Sequence, residues 1–207
     1  MPLTTPLFLI GAYLLGSLPT AYLIARWLRG IDLREVGSGN VGGSNLRATL
    51  GLWATVSVGL FDVAKGALPV WLARQVGLGE TTAIGAGLAA VAGHNWSPWL
   101  SFQGGRGMAS TLGVLSVLFP TGLAWVLGAL ALGALAGQVP LLHGLGVLSL
   151  PLLSLGLGKA STITRLAVAL VGIMIIKRLE ANQGRQALTP SQRRIWLTRL
   201  LHDRDQY

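Results

Sequence analysis

Long apolar stretches separated by short polar ones set the pattern of this chain. No charged residue occurs from Met1 to Ala25, from Thr81 to Gly105, or over the 52 residues from Gly107 to Gly158. About 18 uncharged, mostly apolar residues suffice to cross a bilayer as a helix. The pattern predicts an all-α integral membrane protein with about seven spans: Leu7 to Leu28, Leu52 to Ala73, Thr81 to Leu100, Gly107 to Phe119, Thr121 to Gly137, Val139 to Leu157 and Ser161 to Leu179. The fourth is short, Pro120 breaks it from the fifth, and five or six spans also fit. No soluble domain and no internal repeat interrupt the series, so residues 1–207 are expected to form a single membrane-embedded domain.

Composition agrees. Of 207 residues, 52% are hydrophobic and only 11% charged, against about 25% charged in a soluble domain. The N-terminus lacks the positive region and small-residue cleavage site of a signal peptide, so it is expected to be a true span. The distribution of lysine and arginine orients the chain. With the N-terminus outside, twelve of them fall on the inner side: Arg26, Arg29, Arg34, Arg47, Arg106, Lys177, Arg178, Arg185, Arg193, Arg194, Arg199 and Arg204. Only Arg74, Lys159 and Arg165 fall on the outer side. This places the C-terminus in the cytoplasm. The net charge of +9 then marks cytoplasmic loops and anionic headgroups rather than nucleic acid. In the tail, residues 185–207, Thr189-Pro190-Ser191-Gln192 reads as a capped helix start. The stretch RRIWLTRLL after it suggests an interfacial amphipathic helix; a solvated tail fits equally.

Two polar loops break the apolar rule on the cytoplasmic side. The first, Gly37-Ser38-Gly39-Asn40-Val41-Gly42-Gly43-Ser44-Asn45, joins permissive backbone to neutral hydrogen-bonding side chains. Successive N–H groups in such a loop can cradle an anion, a helix beginning near Ser44 would add its positive end, and Arg47 lies close by. The second is Gln103-Gly104-Gly105-Arg106-Gly107, again glycine, a cation and a helix start. Either alone reads as a flexible loop. Two on one face point to a ligand carrying phosphate at the membrane surface.

Other polar residues sit inside spans. Asp62 and Lys65, at i and i+3, can pair on one helix face; they form either a structural ion pair or a pair that turns Lys65 to the polar site. His94, with Asn95, can orient or protonate a ligand, or can hydrogen-bond between helices. Trp96 and Trp99 fit an interfacial aromatic belt.

Several chemistries are excluded. The chain has no cysteine, hence no disulfide, thiolate site or cysteine nucleophile. His94, His143 and His202 fit no metal spacing. There is no P-loop, no dinucleotide fingerprint and no G-x-S-x-G elbow. His94 and His143 lack the aspartate four residues on that marks the CoA-dependent glycerolipid acyltransferases.

Four stretches together resemble the membrane-embedded acyl-phosphate:glycerol-3-phosphate acyltransferases of bacteria, the PlsY family. They are GSLPTAYLIA, DLREVGSGNVGGSNL, FDVAKGALPVW and GHNWSPWLSFQGGRGMAST. The resemblance implies seven spans in the bacterial cytoplasmic membrane and an active site at the cytoplasmic face. The implied reaction moves a fatty acyl group from acyl phosphate to the 1-hydroxyl of glycerol 3-phosphate, giving lysophosphatidic acid and phosphate. Neither a metal nor coenzyme A is implied. Ser38, Asn40, Arg106 and His94 are the expected catalytic residues. Gly37, Gly39, Gly42, Asn45, Arg47, Lys65, Gly104, Gly105 and Gly107 are expected to hold phosphate groups. The expected partners are the two substrates, the bilayer and an acyl-phosphate-forming enzyme.

The sequence departs from the family in four places. Gln103 and Arg106 stand where the family has lysines. Arg47 follows Asn45 by two positions rather than three. Pro140 stands near an expected serine. Gly172 and Ile175 replace the His and Asn of a third motif, of which Ile176-Lys177-Arg178-Leu179 remain. Two readings therefore stay open: a working acyltransferase, or a paralogue that binds acyl phosphate or uses another acceptor.

Overall fold

The computed structural model describes residues 3–180. The tail helix expected over 185–207 lies outside the described residues. The described residues are helical and contain no strand. Their helices are α1 (Thr4–Gly16), α2 (Thr20–Arg29), α3 (Gly43–Leu50), α4 (Leu52–Gln75), α5 (Glu80–Asn95), α6 (Met108–Leu118), α7 (Pro120–Leu135), α8 (Val139–Leu148), α9 (Leu150–Gly156) and α10 (Ser161–Glu180). They fall into two compact units, Met1–Leu118 and Phe119–Tyr207.

A helix covers each predicted span, with three differences. The first is broken after α1, because Pro19 has no N–H to continue the ladder and Ser17 closes α1 on the carbonyl of Tyr13 at 2.9 Å. The third ends at Asn95 and passes through a short 3₁₀ turn, Pro98–Leu100. The sixth bends by 41° between α8 and α9. By length and hydropathy, Thr4–Arg29 and Leu52–Gln75 can each cross a membrane, and the bent α8–α9 pair makes a third if the two helices count as one span. At 11 residues, α6 spans only about 16 Å at 1.5 Å per residue.

In the first unit α1 packs on α5, and α4 on both α5 and α6. The buried faces are made of small residues: Ala12, Ala21, Ala25, Ala54, Ala73, Ala83, Ala86 and Ala90. Leu7, Leu60, Phe61, Leu68 and Trp71 are exposed. Small residues between helices and large apolar ones outside are the arrangement for lipid surroundings, where close van der Waals packing replaces hydrophobic drive. Reciprocal glycines bring α4 and α6 together: Gly66 lies on the Ser110 carbonyl and Gly113 on that of Val63, with no room for a methyl group at either. In the second unit α7 packs on α8, and α10 on α8 and α9.

Candidate active site

The first polar loop is held from within by Asn45, at the start of α3. Its Nδ2 donates to the carbonyls of Leu33 at 2.8 Å, Val36 at 3.0 Å and Asn40 at 3.1 Å. Its Oδ1 lies under Gly37, where a Cβ would collide with it. Gly37 and Gly39 take positive φ, 57° and 67°, a conformation that favours glycine. The chain thus curls around one buried amide, and Asn45 is committed to the loop itself. Helix α3 begins at Gly43, so the helix start considered near Ser44 is present. Ser38 and Arg47 are exposed on this segment, whereas Asn40 is buried, with no partner on its Oδ1 among the described residues.

The approach to the loop is braced by Asp32 and Arg34. Arg34 Nη2 meets Asp32 Oδ2 at 2.6 Å and Nε meets Oδ1 at 3.0 Å, while the guanidinium stacks 5.3 Å above the Tyr22 ring. The hydrogen-bonding guanidinium holds the Asp32 carboxyl below its ordinary pKa. A depressed carboxylate stabilises the fold above its unfolded pKa, and that contribution disappears as pH falls through the folded value. The protection factor of hydrogen exchange over residues 31–42, the rate corrected for the intrinsic rate at each pH, is therefore expected to fall in acid, below about pH 4. Asp32→Asn should remove this acid dependence. An equal loss of protection in acid in wild type and variant would refute the assignment.

The second glycine-rich loop folds back onto the end of α5. Gly104 N–H donates to the Asn95 carbonyl at 3.1 Å, and Gly105 N–H to that of His94 at 3.0 Å. A Cβ at Gly105 would meet His94 Nε2, and would lie 3.1 Å from the Val41 carbonyl. The two glycine-rich loops, over 60 residues apart in sequence, are therefore neighbours. Gly107 has φ 74° and lies against the buried Asn95 amide, neither atom of which has a partner among the described residues. Arg106, between these glycines, is half-buried.

Beneath the loops lies a buried charged cluster. Lys65 Nζ is 2.8 Å from Asp62 Oδ1 and also donates to the Leu18 carbonyl at 2.9 Å. Thr20 Oγ1 donates to the same Asp62 oxygen at 2.9 Å. His94 Nδ1 stands 3.7 Å from it. The break after α1 supplies the Leu18 carbonyl, and polar staples hold it in place. Ser97 Oγ donates to the Ser17 carbonyl at 2.7 Å, Trp99 Nε1 to Ser17 Oγ at 2.8 Å, and Tyr13 to the Trp96 carbonyl at 2.6 Å. A water-sized space of about 10 Å³ lies among Thr20, Val41, Asp62, Lys65, His94 and Gly105. The Asp62–Lys65 pair forms, ties α4 to the break after α1, and lines this small space. Trp99 does more than line an interface, because its indole N–H is a staple.

The second unit carries the remnant of the third motif. Arg178 Nη2 donates to the Pro140 carbonyl at 2.6 Å, and its guanidinium covers Gly144. His143 is buried beside it, with neither ring nitrogen partnered among the described residues. Gly172 faces open space. No group of three or more potential metal-ligating side chains occurs among the described residues.

A sequence model described as glycerol-3-phosphate acyltransferase matches residues 6–187. The chain belongs to the glycerol-3-phosphate acyltransferase family. A family member from Dehalococcoides mccartyi, glycerol-3-phosphate acyltransferase 5, is 40% identical over 212 aligned positions, covering 99% of this chain and 91% of the relative. One from Synechococcus is 40% identical over 183 positions, covering 88% of this chain and 91% of the relative. Among solved structures, the glycerol 3-phosphate form of PlsY (YgiH), an integral membrane glycerol 3-phosphate acyltransferase, aligns with TM-score 0.76 and 31% identity over 84% of this chain and 88% of that one. Its lysophosphatidic acid form aligns with TM-score 0.75. Apolar helices and these relatives make this acyltransferase-family chain a membrane protein.

Sequence reasoning missed Thr20, Ser17 and Ser97 as site-building residues. The signal was present: three hydroxyls flanking prolines inside otherwise apolar segments.

Proposed function

We propose that the chain transfers a fatty acyl group from acyl phosphate to the 1-hydroxyl of glycerol 3-phosphate, at the cytoplasmic face of a bacterial inner membrane. The observation that carries this reading is the meeting of the two glycine-rich loops at Val41 and Gly105, directly over His94. Seven spans with the N-terminus outside follow from the asymmetry of lysine and arginine, and put both loops on one side.

The donor is an activated mixed anhydride, so no covalent enzyme intermediate is needed. The glycerol hydroxyl attacks the acyl carbon, the ester bond forms, and the bond to phosphate oxygen breaks. The hydroxyl proton leaves with the phosphate. The chain must bring two anions together, and orientation of this kind can supply about 7 kcal/mol or more. Gly37, Ser38, Gly39, Asn40 and Gly42 offer backbone and side-chain donors to one phosphate, with Asn45 shaping their loop and Arg47 nearby. Gly104, Gly105, Arg106 and Gly107 offer a second set. Lys65 adds a buried positive charge. His94 stands at the junction, where it can orient or protonate a ligand. Donors fixed before reaction stabilise charge developing on the carbonyl oxygen and leaving group. The bilayer receives the acyl chain, and an acyl-phosphate-forming enzyme supplies the donor.

The test is phosphate release by the purified chain in lipid, with palmitoyl phosphate, in the presence and absence of glycerol 3-phosphate. Release is expected to require the acceptor and to fall about 10²-fold or more in Arg106→Ala and in Ser38→Ala. Binding of palmitoyl phosphate without release would favour the second reading, a paralogue with another acceptor, and would trace to Gly172 and Ile175.

A further inference from the structure

We infer that the turn from α9 to α10 is a seat for an anionic phospholipid, with the lipid phosphate between Lys159 and Arg165 and an acyl chain along Leu155, Val168 and Ala169. The inference is independent of the acyl-transfer reading.

These residues, with Ser161, line a recess of about 500 Å³ within the second unit. Small-molecule sites commonly enclose about 300–1,000 Å³. The turn is fixed by the chain itself. Gly158, with φ 59°, donates its N–H to the Leu155 carbonyl at 2.9 Å, and Lys159 N–H donates to that of Ser154 at 3.0 Å. This is the paired closure of a helix by a left-handed glycine, and it sets where the Lys159 side chain starts. The Ser154 and Thr164 hydroxyls meet at 2.9 Å and hold α9 against α10 at the recess. The seat is thus built before a ligand arrives.

Charge is the second observation. Lys159 and Arg165 are exposed, and no acidic residue lies between Phe119 and Leu179. Glu180, the only acid among the described residues of this unit, is 3.8 Å from Lys177. Both it and Arg178 lie about 20 Å further along α10 than Arg165, at 1.5 Å per residue, so the recess is separate from the remnant of the third motif. Arg74, the other cation expected on the outer side, is paired with Glu80 at 2.7 Å. Lys159 and Arg165 therefore place positive charge at a span end with no acidic partner among the described residues of their unit.

Basic recesses between membrane helices take acidic lipid headgroups, and the arginine fork matches two phosphate oxygens. A long cation at a span end can also simply reach toward water. That does not account for two cations and a hydroxyl on one recess whose other wall is apolar and exposed at Leu155 and Val168. A zwitterionic headgroup fits less well, because its ammonium finds no carboxylate here. A free inorganic anion would leave the apolar wall uncovered. In the orientation proposed above, the seat belongs to the outer leaflet.

The experiment is native mass spectrometry of the full chain released from detergent micelles, with dioleoyl phosphatidylglycerol, dioleoyl phosphatidylcholine and inorganic phosphate as probes. Wild type should retain one phosphatidylglycerol about tenfold more strongly than phosphatidylcholine. Lys159→Gln and Arg165→Gln should each lower that retention about fivefold. Arg29→Gln removes an exposed cation elsewhere and should lower it less than about twofold. Val168→Trp keeps both cations but fills the recess, and should lose the lipid as well. Equal retention of the two lipids by wild type, equal losses in Arg165→Gln and Arg29→Gln, full retention in Val168→Trp, or displacement of the lipid by millimolar inorganic phosphate would each overturn the inference. Phosphatidylglycerol held by a chain that releases no phosphate from palmitoyl phosphate would overturn the proposed function and leave this seat standing.

Discussion

Asn45→Ala is expected to destroy the first glycine-rich loop and, with it, phosphate release. The Asn45 Nδ2 serves three carbonyls, those of Leu33, Val36 and Asn40, and the residue is 3% exposed. Truncation removes these bonds and strands buried acceptors, at a cost of about 3 kcal/mol. It also takes away the oxygen on which Gly37 rests. The nest of N–H groups is defined by this curl, so the loss should fall on catalysis more heavily than on the fold. A drop in kcat/KM of about 10²-fold or more is expected, with hydrogen exchange accelerated over residues 33–42. Asn45→Asp keeps the shape but turns two donors into acceptors facing carbonyls, so it should do at least as much harm. Wild-type kcat/KM in either variant would show that the loop holds its form without the amide, and that its curl does not matter to the reaction.

The same residue shows what the sequence reveals and what it conceals. Glycine, serine and asparagine in a row announce a loop with exposed donors, and the start of α3 near Ser44 is readable from them. Which asparagine faces a ligand and which faces the chain is not readable, because that depends on how Leu33 and Val36 return toward α3. The helix α7 follows directly from an uncharged apolar run, and α4 from an apolar run that Asp62 and Lys65 interrupt. The break after α1 does not, although Pro19 signals it, since a 26-residue apolar stretch reads as one span. That break decides the site: it frees the Leu18 carbonyl for Lys65 and places Thr20 on Asp62. The Asp62–Lys65 pair is legible from its i, i+3 spacing. The approach of His94 to it is not, because it is set by packing between α4 and α5, whose buried faces are mostly small and apolar and name no polar partner for it.

Gly104→Ala carries the second large expectation, a fall in activity of about 10²-fold with little effect on the helices. Its N–H is bonded to the Asn95 carbonyl, and a methyl group there would collide with the His94 carbonyl oxygen and lie 2.7 Å from that of Asn95. Both are backbone atoms at the end of α5, with no rotamer to escape through. The loop itself must move, and Arg106 two residues on moves with it. A displacement of about 1 Å is enough for a loss of this size when the reacting groups are held by position alone. Because the helix contacts of α5 with α1 and α4 lie on residues upstream, the thermal midpoint should change far less than for Asn45→Ala. Gly59→Ala, on α4 where a Cβ meets nothing within 4 Å, is the control and should leave activity unchanged. The division of the loss is informative. A rise in KM for glycerol 3-phosphate alone would place its phosphate at this loop. A fall in kcat alone would mean the loop acts on charge that develops only during transfer, at the carbonyl oxygen or the leaving phosphate. If Gly104→Ala behaves like Gly59→Ala, the close packing of this loop on α5 is incidental and Arg106 does not depend on it for its place.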